Sequence, residues 1–328
     1  MLRHVHGRVE LWPLAAPFRI SRGVKTVAEV VTVELEQGAH IGRGEAVPYA
    51  RYGESSEGVL RQIETLAPML AAGLSRTELR RALPPGAARN AIDCALWDLE
   101  ARLSGQSVAV TAAAPLSPVT TALTVGLDTP DAMADAAAAL TGSTLVKVKV
   151  DAQEPEACLN AVRRALPDAA LIVDPNESWD MALLERLQPM LRDLRIAFVE
   201  QPLPAEDDAC LEGFEPLVPI CADESCHTAE DLPVLERRYG MINIKLDKTG
   251  GLTEALELYD AARARGMGIM VGCMVSTSLS IAPALHIAAR ADFADLDGPW
   301  WLKEDRPGGV TMQGSTMLPP AQGFWGTL

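Results

Sequence analysis

The fold is decided by short apolar runs in the middle of the chain: TLVKVKV at residues 144–150, ALIVD at 170–174 and IAFVE at 196–200. Five more runs of this kind lie at 121–124, 219–223, 241–245, 268–272 and 293–297, with amphipathic helical segments between them. The interval from one run to the next is 22 to 27 residues. One strand, one helix and two connecting loops occupy about that length, so the spacing predicts repeated βα units.

Eight such units predict an α/β protein with a TIM-like (β/α)7β barrel over residues 118–298. A doubly wound open sheet is the alternative, because a strand pattern does not show whether the sheet closes. No GxGxxG phosphate fingerprint follows the first run, which disfavours that alternative.

The chain on either side of the barrel has a different texture. Residues 1–117 predict an α+β capping domain, with alternating strands at 3–11 and 27–38 and helical patterns at about 55–72 and 87–103. Between the two strands, PFRISRGVKT at 17–26 is polar and cationic, and we interpret it as a mobile capping loop. The segment 299–328 is rich in proline, glycine and tryptophan, and we expect it to pack against the capping domain.

Composition narrows the class of protein. The 328 residues carry a net charge of −15, which argues against nucleic acid and anionic membranes as partners. No apolar run is long enough to span a membrane, and the first residues lack a signal-peptide core, so we expect a cytoplasmic protein. The six cysteines form no CxxC pair, which argues against a zinc site. A homo-oligomer is compatible with this sequence.

Carboxylates end three consecutive predicted strands, at Asp174, Glu200 and Asp223. The carboxyl ends of barrel strands meet at one face, so these side chains are expected to lie together. Oxygen ligands without nearby histidine or thiol favour Mg²⁺ over zinc or copper. Asp174 could instead help to cap the following helix, but capping does not explain the carboxylates on the two neighbouring strands. The pattern therefore predicts a Mg²⁺ site.

Lysines flank these carboxylates on both sides. Lys147 and Lys149 alternate with valines, so both point to one face of their strand, unless that strand is an edge strand with a solvated face. Lys245 ends the run four strands later, which is the opposite wall of an eight-stranded barrel. We expect neighbouring cations to lower the pKa of such a lysine toward the range of a general base. Two amines on opposite faces of a substrate α-carbon predict epimerisation or racemisation.

The motifs KxK, DxN, EQP, ADES and NIKLDKTGG, which begin at residues 147, 174, 200, 222 and 243, resemble the muconate-lactonizing subgroup of the enolase superfamily. The resemblance covers nearly the whole chain, including the capping domain and the C-terminal segment. Pro175 departs from the family, which more often has alanine at that position. The resemblance implies metal ligands Asp174, Glu200 and Asp223, acid/base residues Lys149 and Lys245, and Lys147 as the residue that tunes Lys149.

Two further stretches are similar to the L-Ala-D/L-Glu epimerases within that subgroup, namely FADLDG at 293–298 and PFRISRG at 17–23. The resemblance implies that Asp295 and Asp297 pair with the free ammonium of a dipeptide. It also implies that Arg22 meets the acidic side chain of the second residue. The two aspartates could instead belong to a turn before Gly298, but carboxylates two residues apart at a strand end converge on one point, which favours the binding role. The expected substrate-binding residues are Arg22, Thr124, Lys147, Asp295 and Asp297, with Asn176 and Glu224 as supporting residues.

The activity implied by the resemblance is the Mg²⁺-dependent epimerisation of a dipeptide such as L-Ala-D-Glu in murein peptide metabolism. The α-proton would move between two bases through a metal-stabilised ene-diolate. Another superfamily reaction, such as o-succinylbenzoate synthesis or cycloisomerisation, is the first alternative, but those substrates lack an ammonium for Asp295 and Asp297. A Schiff-base aldolase would use a barrel lysine as nucleophile. A non-enzymatic binding protein would have no need of both lysines.

Overall fold

The computed structural model describes residues 2–20 and 23–327. Its strands are β1 His4–Ile20, β2 Gly23–Gln37, β3 His40–Ala46, β4 Val119–Thr120, β5 Leu123–Val125, β6 Leu145–Lys149, β7 Ala170–Asp174, β8 Ile196–Glu200, β9 Ile220–Ala222, β10 Met241–Ile244, β11 Gly268–Gly272, β12 Phe293–Asp295, β13 Thr311–Gln313 and β14 Thr316–Leu318. Its α-helices are α1 Ser56–Ala71, α2 Arg76–Ala82, α3 Ala87–Ser104, α4 Val108–Thr111, α5 Pro130–Ala138, α6 Pro155–Ala165, α7 Met181–Asp193, α8 Leu232–Leu235, α9 Leu246–Thr249, α10 Leu252–Ala264 and α11 Ser278–Ala288. Short 3-10 helices lie at Ala50–Tyr52, Asp208–Leu211, Ala229–Asp231 and Gly298–Trp301.

The N-terminal domain is an antiparallel sheet in the order β1-β2-β3, covered by α1 and α3, with α2 packed against α3. Its apolar core joins the buried face of β2 to the apolar stripe of α3. Helix α3 lies directly against β3 because Gly42 and Gly44 have no side chains. A Cβ at Gly44 would come within 2.1 Å of the Ala91 carbonyl oxygen, and one at Gly42 within 2.3 Å of the Ala95 carbonyl oxygen. Glycine is therefore required at both positions.

The central domain is a parallel eight-stranded sheet in the unbroken order β5 to β12. The first and last strands are joined by a hydrogen bond, since the Ala122 N–H donates to the Ala294 carbonyl at 2.8 Å. The Leu296 N–H also donates to the Thr121 hydroxyl at 2.7 Å. These bonds close the sheet into a barrel, so the predicted (β/α)7β barrel is confirmed and the open sheet is excluded.

Strand β6 shows how the sequence builds the inside of the barrel. Val146 and Val148 face outward into the core between the sheet and the helices. Leu145 faces inward and belongs to an apolar cluster with Ile172 and Phe198, which fills the amino-terminal end of the barrel. Because side chains alternate along a strand, Lys147 and Lys149 must follow Leu145 into the interior. Both lysines are buried.

Most sequence-based elements agree with the structure, but strand β3 at His40–Ala46 was not predicted and two predicted elements need correction. The polar stretch at 17–26 was expected to be a loop, but β1 extends to Ile20 and β2 begins at Gly23, so it is mostly a hairpin. The helix expected at 229–239 is only a 3-10 turn followed by the four-residue α8. Pro233 stands at the start of α8, where its missing N–H has no partner to lose.

The C-terminal segment contacts both domains. As expected, its end packs on the capping domain, where the Trp325 indole N–H donates to the Arg43 carbonyl at 2.9 Å. The expectation did not cover the rest of the segment. There, the hairpin of β13 and β14 pairs with β4 at the amino-terminal end of the barrel. Within the described residues, no helix has the length and apolarity needed to cross a membrane.

A second set of contacts joins α3 to the barrel helices α9 and α10. Asp247 Oδ1 accepts hydrogen bonds from the Val47 N–H and the Asn90 side-chain amide, both at 2.9 Å. Asp93 accepts from the Thr253 N–H at 3.0 Å and from the Thr253 hydroxyl at 2.6 Å. Burial raises the pKa of Asp247 to about 7. These contacts dock the capping domain beside the carboxyl end of β10, where Lys245 lies.

Candidate active site

Seven barrel strands, β5 to β10 and β12, bring the expected residues to one mouth. Lys149, Asp174 and Glu200 are the last residues of β6, β7 and β8. Asp223 and Lys245 directly follow β9 and β10. One cavity at this mouth is lined by residues that include Thr124, Lys147, Lys149, Asn176, Asp223, Glu224, Lys245, Asp295 and Asp297. Asp174 and Glu200 lie beneath it, in contact with Lys147.

Lysine ammonium groups lie between the carboxylates. The Lys147 Nζ is 2.9 Å from Asp174 Oδ2, 2.6 Å from Glu200 Oε2 and 2.8 Å from Asp295 Oδ2. The Lys149 Nζ lies 2.5 Å from the same Asp174 oxygen. On the opposite wall, the Lys245 Nζ lies 2.6 Å from Asp223 Oδ2. All of these side chains are buried, so each charge depends on its neighbours rather than on water.

These contacts determine the pKa values in the mouth. Burial opposes ionisation of Asp223, but Lys245 and Lys248 outweigh it and hold the pKa of this carboxyl well below its usual range. Burial and the charge of Asp174 raise the pKa of Glu200 to about 8. The pKa of Lys245 is raised, because Asp223 and Glu200 outweigh its burial. The lowering expected for the lysines is not found at Lys245 or at Lys147, since their nearest neighbours are carboxylates.

Carboxylates outnumber lysines at the mouth, so the site can balance the charge of a divalent cation. The buried carboxylates are Asp174, Glu200, Asp223, Glu224, Asp295 and Asp297, and the buried lysines are Lys147, Lys149, Lys245 and Lys248. Six carboxylates therefore face four lysines, and a divalent cation beside Glu200 would favour the ionised form of this carboxylate, whose pKa is otherwise raised. Across residues 2–20 and 23–327, no three His, Cys, Asp or Glu side chains are gathered closely enough to form a ready-made metal site. Asp174 and Glu200 nevertheless converge on a cation, the Lys147 ammonium, and their oxygen donors suit a hard divalent ion.

Asp295 and Asp297 are both buried at the cavity wall, as the alternation at the end of the last strand predicts. Asp297 accepts a hydrogen bond from the Thr124 N–H at 2.8 Å and a longer one from the Trp301 indole at 3.3 Å. Burial and the charge of Asp295 raise the pKa of Asp297 to about 6. The pair therefore offers negative charge that a bound cationic group would stabilise.

The capping domain closes the cavity from above. Phe18, Ile20 and Lys25 of the β1–β2 hairpin line it, together with Tyr49 and Tyr52 from the loop that follows β3. Arg22, the residue expected to meet an acidic side chain, lies outside the described residues.

Sequence reasoning missed two buried residues that support the site. Gln201 Oε1 accepts from the Asp223 N–H at 2.9 Å and from the Ser225 N–H at 3.1 Å. The Lys248 Nζ lies 2.6 Å from Asp223 Oδ1 and 3.0 Å from the Asn243 carbonyl. Both residues stand in stretches already noted, EQP and NIKLDKTGG, so their proximity in sequence to Glu200 and Lys245 was the available signal.

Both domains of the chain match models of known protein families. Residues 3–110 match the mandelate racemase / muconate lactonizing enzyme N-terminal domain, and residues 131–323 match the enolase C-terminal domain-like family. The chain therefore belongs to the mandelate racemase and muconate lactonizing enzyme family of the enolase superfamily.

Individual relatives are similar over most of their length. The L-Ala-D/L-Glu epimerase of Escherichia coli K12 is 53% identical over 90% of this chain and 93% of its own. An enolase family member from Agrobacterium tumefaciens, solved with sodium and L-Ala-L-Glu, is 49% identical with a TM-score of 0.97, over 98% of this chain and 99% of its own. A dipeptide epimerase from Enterococcus faecalis V583, solved with Mg and L-Leu-L-Tyr, is 30% identical with a TM-score of 0.89 over 98% of both chains.

Proposed function

We propose that this protein is a Mg²⁺-dependent dipeptide epimerase that interconverts L-Ala-D-Glu and L-Ala-L-Glu. The observation that carries the proposal is the pair of buried lysines, Lys149 and Lys245, on strands four apart in one closed barrel. Three carboxylates end the intervening strands or directly follow them. A substrate α-carbon held between the lysines would present one face to each amine, which is what inversion at that carbon requires.

In this proposal Asp174, Glu200 and Asp223 hold the Mg²⁺. When bound, the ion supplies positive charge that stabilises the negative charge developing on the substrate carboxylate as the α-proton leaves. Asn176 supports the first ligand, because its N–H donates to Asp174 Oδ1 at 2.9 Å. Glu224 is buried beside Asp223 and adds negative charge to the same wall.

Lys149 and Lys245 act in turn as base and conjugate acid. In one direction the amine of one lysine removes the α-proton, and the ammonium of the other returns a proton to the opposite face. Lys147 lies between Asp174, Glu200 and Asp295, so it can neutralise these carboxylates and tune Lys149 nearby. Thr124 lines the cavity that would hold the substrate and fixes Asp297 through its N–H.

Recognition of the dipeptide divides between the two domains. Asp295 and Asp297 would pair with the N-terminal ammonium, and Arg22 would meet the side-chain carboxylate of the second residue. We assign residues 1–117 to the capping domain, 118–298 to the catalytic barrel and 299–328 to the returning segment. Because L-Ala-D-Glu is a unit of murein peptides, we propose a cytoplasmic role in murein peptide metabolism.

The test is isotope exchange in D₂O with Mg²⁺, monitored by NMR on L-Ala-D-Glu and L-Ala-L-Glu separately. Lys149→Ala should lose α-deuterium incorporation from one stereoisomer and keep it in the other, and Lys245→Ala should show the opposite preference. Each loss should be about 10²- to 10⁴-fold, the usual contribution of a general base. If either variant exchanges both isomers at the wild-type rate, the two-base assignment is wrong.

A substrate control examines the ammonium site separately. N-acetyl-L-Ala-D-Glu lacks the free ammonium, so wild-type protein should epimerise it poorly. Asp297→Asn should reduce turnover of the free dipeptide much more than turnover of the acetylated one. An equal loss on both substrates would contradict the assignment of Asp297 to ammonium recognition.

A further inference from the structure

Arg51 makes a contact between the capping domain and the barrel that the proposed mechanism does not use. It lies in the short helix Ala50–Tyr52 and reaches down to two barrel loops. Its Nε and Nη2 atoms each donate to one carboxylate oxygen of Glu177 at 2.9 Å, and Nη2 also lies 2.6 Å from Glu206 Oε1. The Glu206 side chain is 64% exposed, so that pair adds little. The Glu177 side chain is only 8% exposed, and Arg51 contacts both of its carboxylate oxygens.

The loop that Arg51 holds is strained. Asn176 and Glu177 have φ angles of 47° and 66°, so two consecutive residues with side chains adopt the left-handed conformation. Gln201, the first residue after β8, has a φ of 34°. Such conformations persist only where surrounding contacts enforce them, and they concentrate at functional sites.

The strained loop leads directly to candidate metal ligands. The Asn176 N–H donates to Asp174 Oδ1 at 2.9 Å, and the Glu177 N–H donates to the Gln201 carbonyl at 3.0 Å. Glu177 Oε1 also accepts from the Ala205 N–H at 2.9 Å. The loops after β7 and β8, which follow Asp174 and Glu200, are thus tied together at Glu177.

The other end of the contact lies over the cavity. Tyr49 and Tyr52, on either side of Arg51, both line the wall that the capping domain contributes. The position of this wall and the conformation of the strained loop therefore depend on the same guanidinium.

We infer that Arg51 is a positioning residue that couples closure of the capping domain to the geometry of the metal-ligand loops, through its bidentate contact with Glu177. The effect of Arg51 on metal binding rests on the proposed function. The effect of Arg51 on the stability of the loop at 175–178 is independent of that function.

The chain contains a closely matched control in Arg80, which also joins the capping domain to the barrel. Arg80 lies 3.0 Å from Glu254, whose side chain is 7% exposed, and 2.5 Å from Glu257, whose side chain is 54% exposed. The arginines themselves are 27% and 31% exposed. Arg80 contacts α10 on the outside of the barrel, so Arg80→Ala removes an equivalent docking contact without touching the mouth. Glu254 keeps a second partner, Arg89, at 3.3 Å.

The experiment compares full-length wild type, Arg51→Ala, Arg51→Lys, Glu206→Gln and Arg80→Ala. Hydrogen exchange measured by mass spectrometry should accelerate in the peptide covering 175–178 in Arg51→Ala, but not in Arg80→Ala or Glu206→Gln. Calorimetry with Mg²⁺ alone should show affinity reduced by about tenfold in Arg51→Ala, within the usual effect of removing an outer partner of a metal ligand. Arg51→Lys should be intermediate, because lysine keeps the charge but not the forked geometry.

Three outcomes decide the inference. Faster exchange and weaker Mg²⁺ binding specific to Arg51→Ala support it. Equal effects in Arg51→Ala and Arg80→Ala, at similar thermal midpoints, would overturn it, because Arg51 would then only dock the domains. If wild type binds no Mg²⁺ and epimerises no dipeptide, the proposed function fails, and exchange at 175–178 still tests the structural coupling.

Discussion

Buried carboxylates occur in two neighbouring regions of this molecule and behave in opposite ways. At the barrel mouth, Asp223 contacts Lys245 and Lys248, and these cations hold its pKa well below the usual range. At the interface with the capping domain, Asp247 is equally buried but contacts an amide side chain and a backbone N–H, and burial raises its pKa to about 7. The nature of the partner, rather than the depth of burial, decides whether a buried acid is charged.

This difference separates two uses of an acidic residue. A carboxylate surrounded by lysines remains ionised, and it can exchange an ammonium partner for a divalent cation. A buried carboxylate whose hydrogen-bond partners are only neutral donors is not compensated for the loss of water, so it favours the protonated form and serves as a polar docking point. The same substitution, aspartate to asparagine, should therefore have different effects in the two regions.

The largest effect is expected at the mouth. Asp223→Asn leaves Lys245 and Lys248 buried without their nearest counter-charge, and we expect it to lower the free energy of unfolding by about 3–5 kcal/mol. Urea denaturation in the presence of a chelator measures this loss without a contribution from bound metal. A variant as stable as wild type would mean that the two lysines are not held by this carboxylate, and the comparison would fail.

The position of Asp223 was predictable from the sequence, but its partners were only partly so. Strand ends follow from the repeated βα spacing, and the inward direction of Lys147 follows from its alternation with valines. The contact between Lys248 and Asp223 depends on how α9 turns after β10, which no local pattern specifies. The hairpin at 17–26 was missed because Phe18 and Ile20 are only partly buried and residues 23–26 are exposed on every side, so no apolar pattern continues through both strands.

The contacts that dock the capping domain on the barrel could not be predicted from the sequence for a related reason. Asn90 and Asp93 stand in the middle of an ordinary helical pattern, where polar residues predict a solvated face. They are buried because α3 packs against both β3 and the barrel helices. Long-range packing of this kind, between residues more than 150 positions apart, leaves no periodic signal in one sequence.

The second prediction concerns Asp247 and depends on pH. Its pKa is about 7 in the folded chain and about 3.9 in an unfolded chain, so the folded state binds the extra proton between these values. Protonated Asp247 therefore makes its full contribution to the free energy of unfolding below about pH 4. This contribution is lost as the pH rises through 7. The loss is on the order of 4 kcal/mol.

Asp247→Asn keeps the accepting oxygen and removes the ionisation. The variant should equal wild type near pH 4 and be the more stable protein at pH 8. Thermal denaturation at both pH values measures the difference between the two proteins. A variant that is less stable than wild type at pH 8 would show that Asp247 functions as a charged residue, and the two regions would no longer differ.

The smallest effect is expected at Gln201, which contacts the Asp223 backbone from outside the cavity lining. Its neutral amide accepts from the Asp223 N–H and donates to the Leu203 carbonyl, the Ser225 hydroxyl and the Tyr239 hydroxyl. Because it orients a candidate ligand without carrying charge, Gln201→Ala should weaken Mg²⁺ binding by about 10- to 100-fold, as measured by calorimetry.

Tyr239→Phe removes only one of the partners of Gln201, at 3.0 Å, and leaves its bonds to the Asp223 loop in place. We therefore expect Mg²⁺ affinity within a few-fold of wild type in this variant. A gradient from Gln201→Ala to Tyr239→Phe would show that orientation of Asp223, and not general loosening of the loop, sets the affinity. If Tyr239→Phe weakened binding as strongly as Gln201→Ala, the whole hydrogen-bonded cluster would act as a unit, and neutral partners would matter as much as lysines in keeping Asp223 ready for a cation.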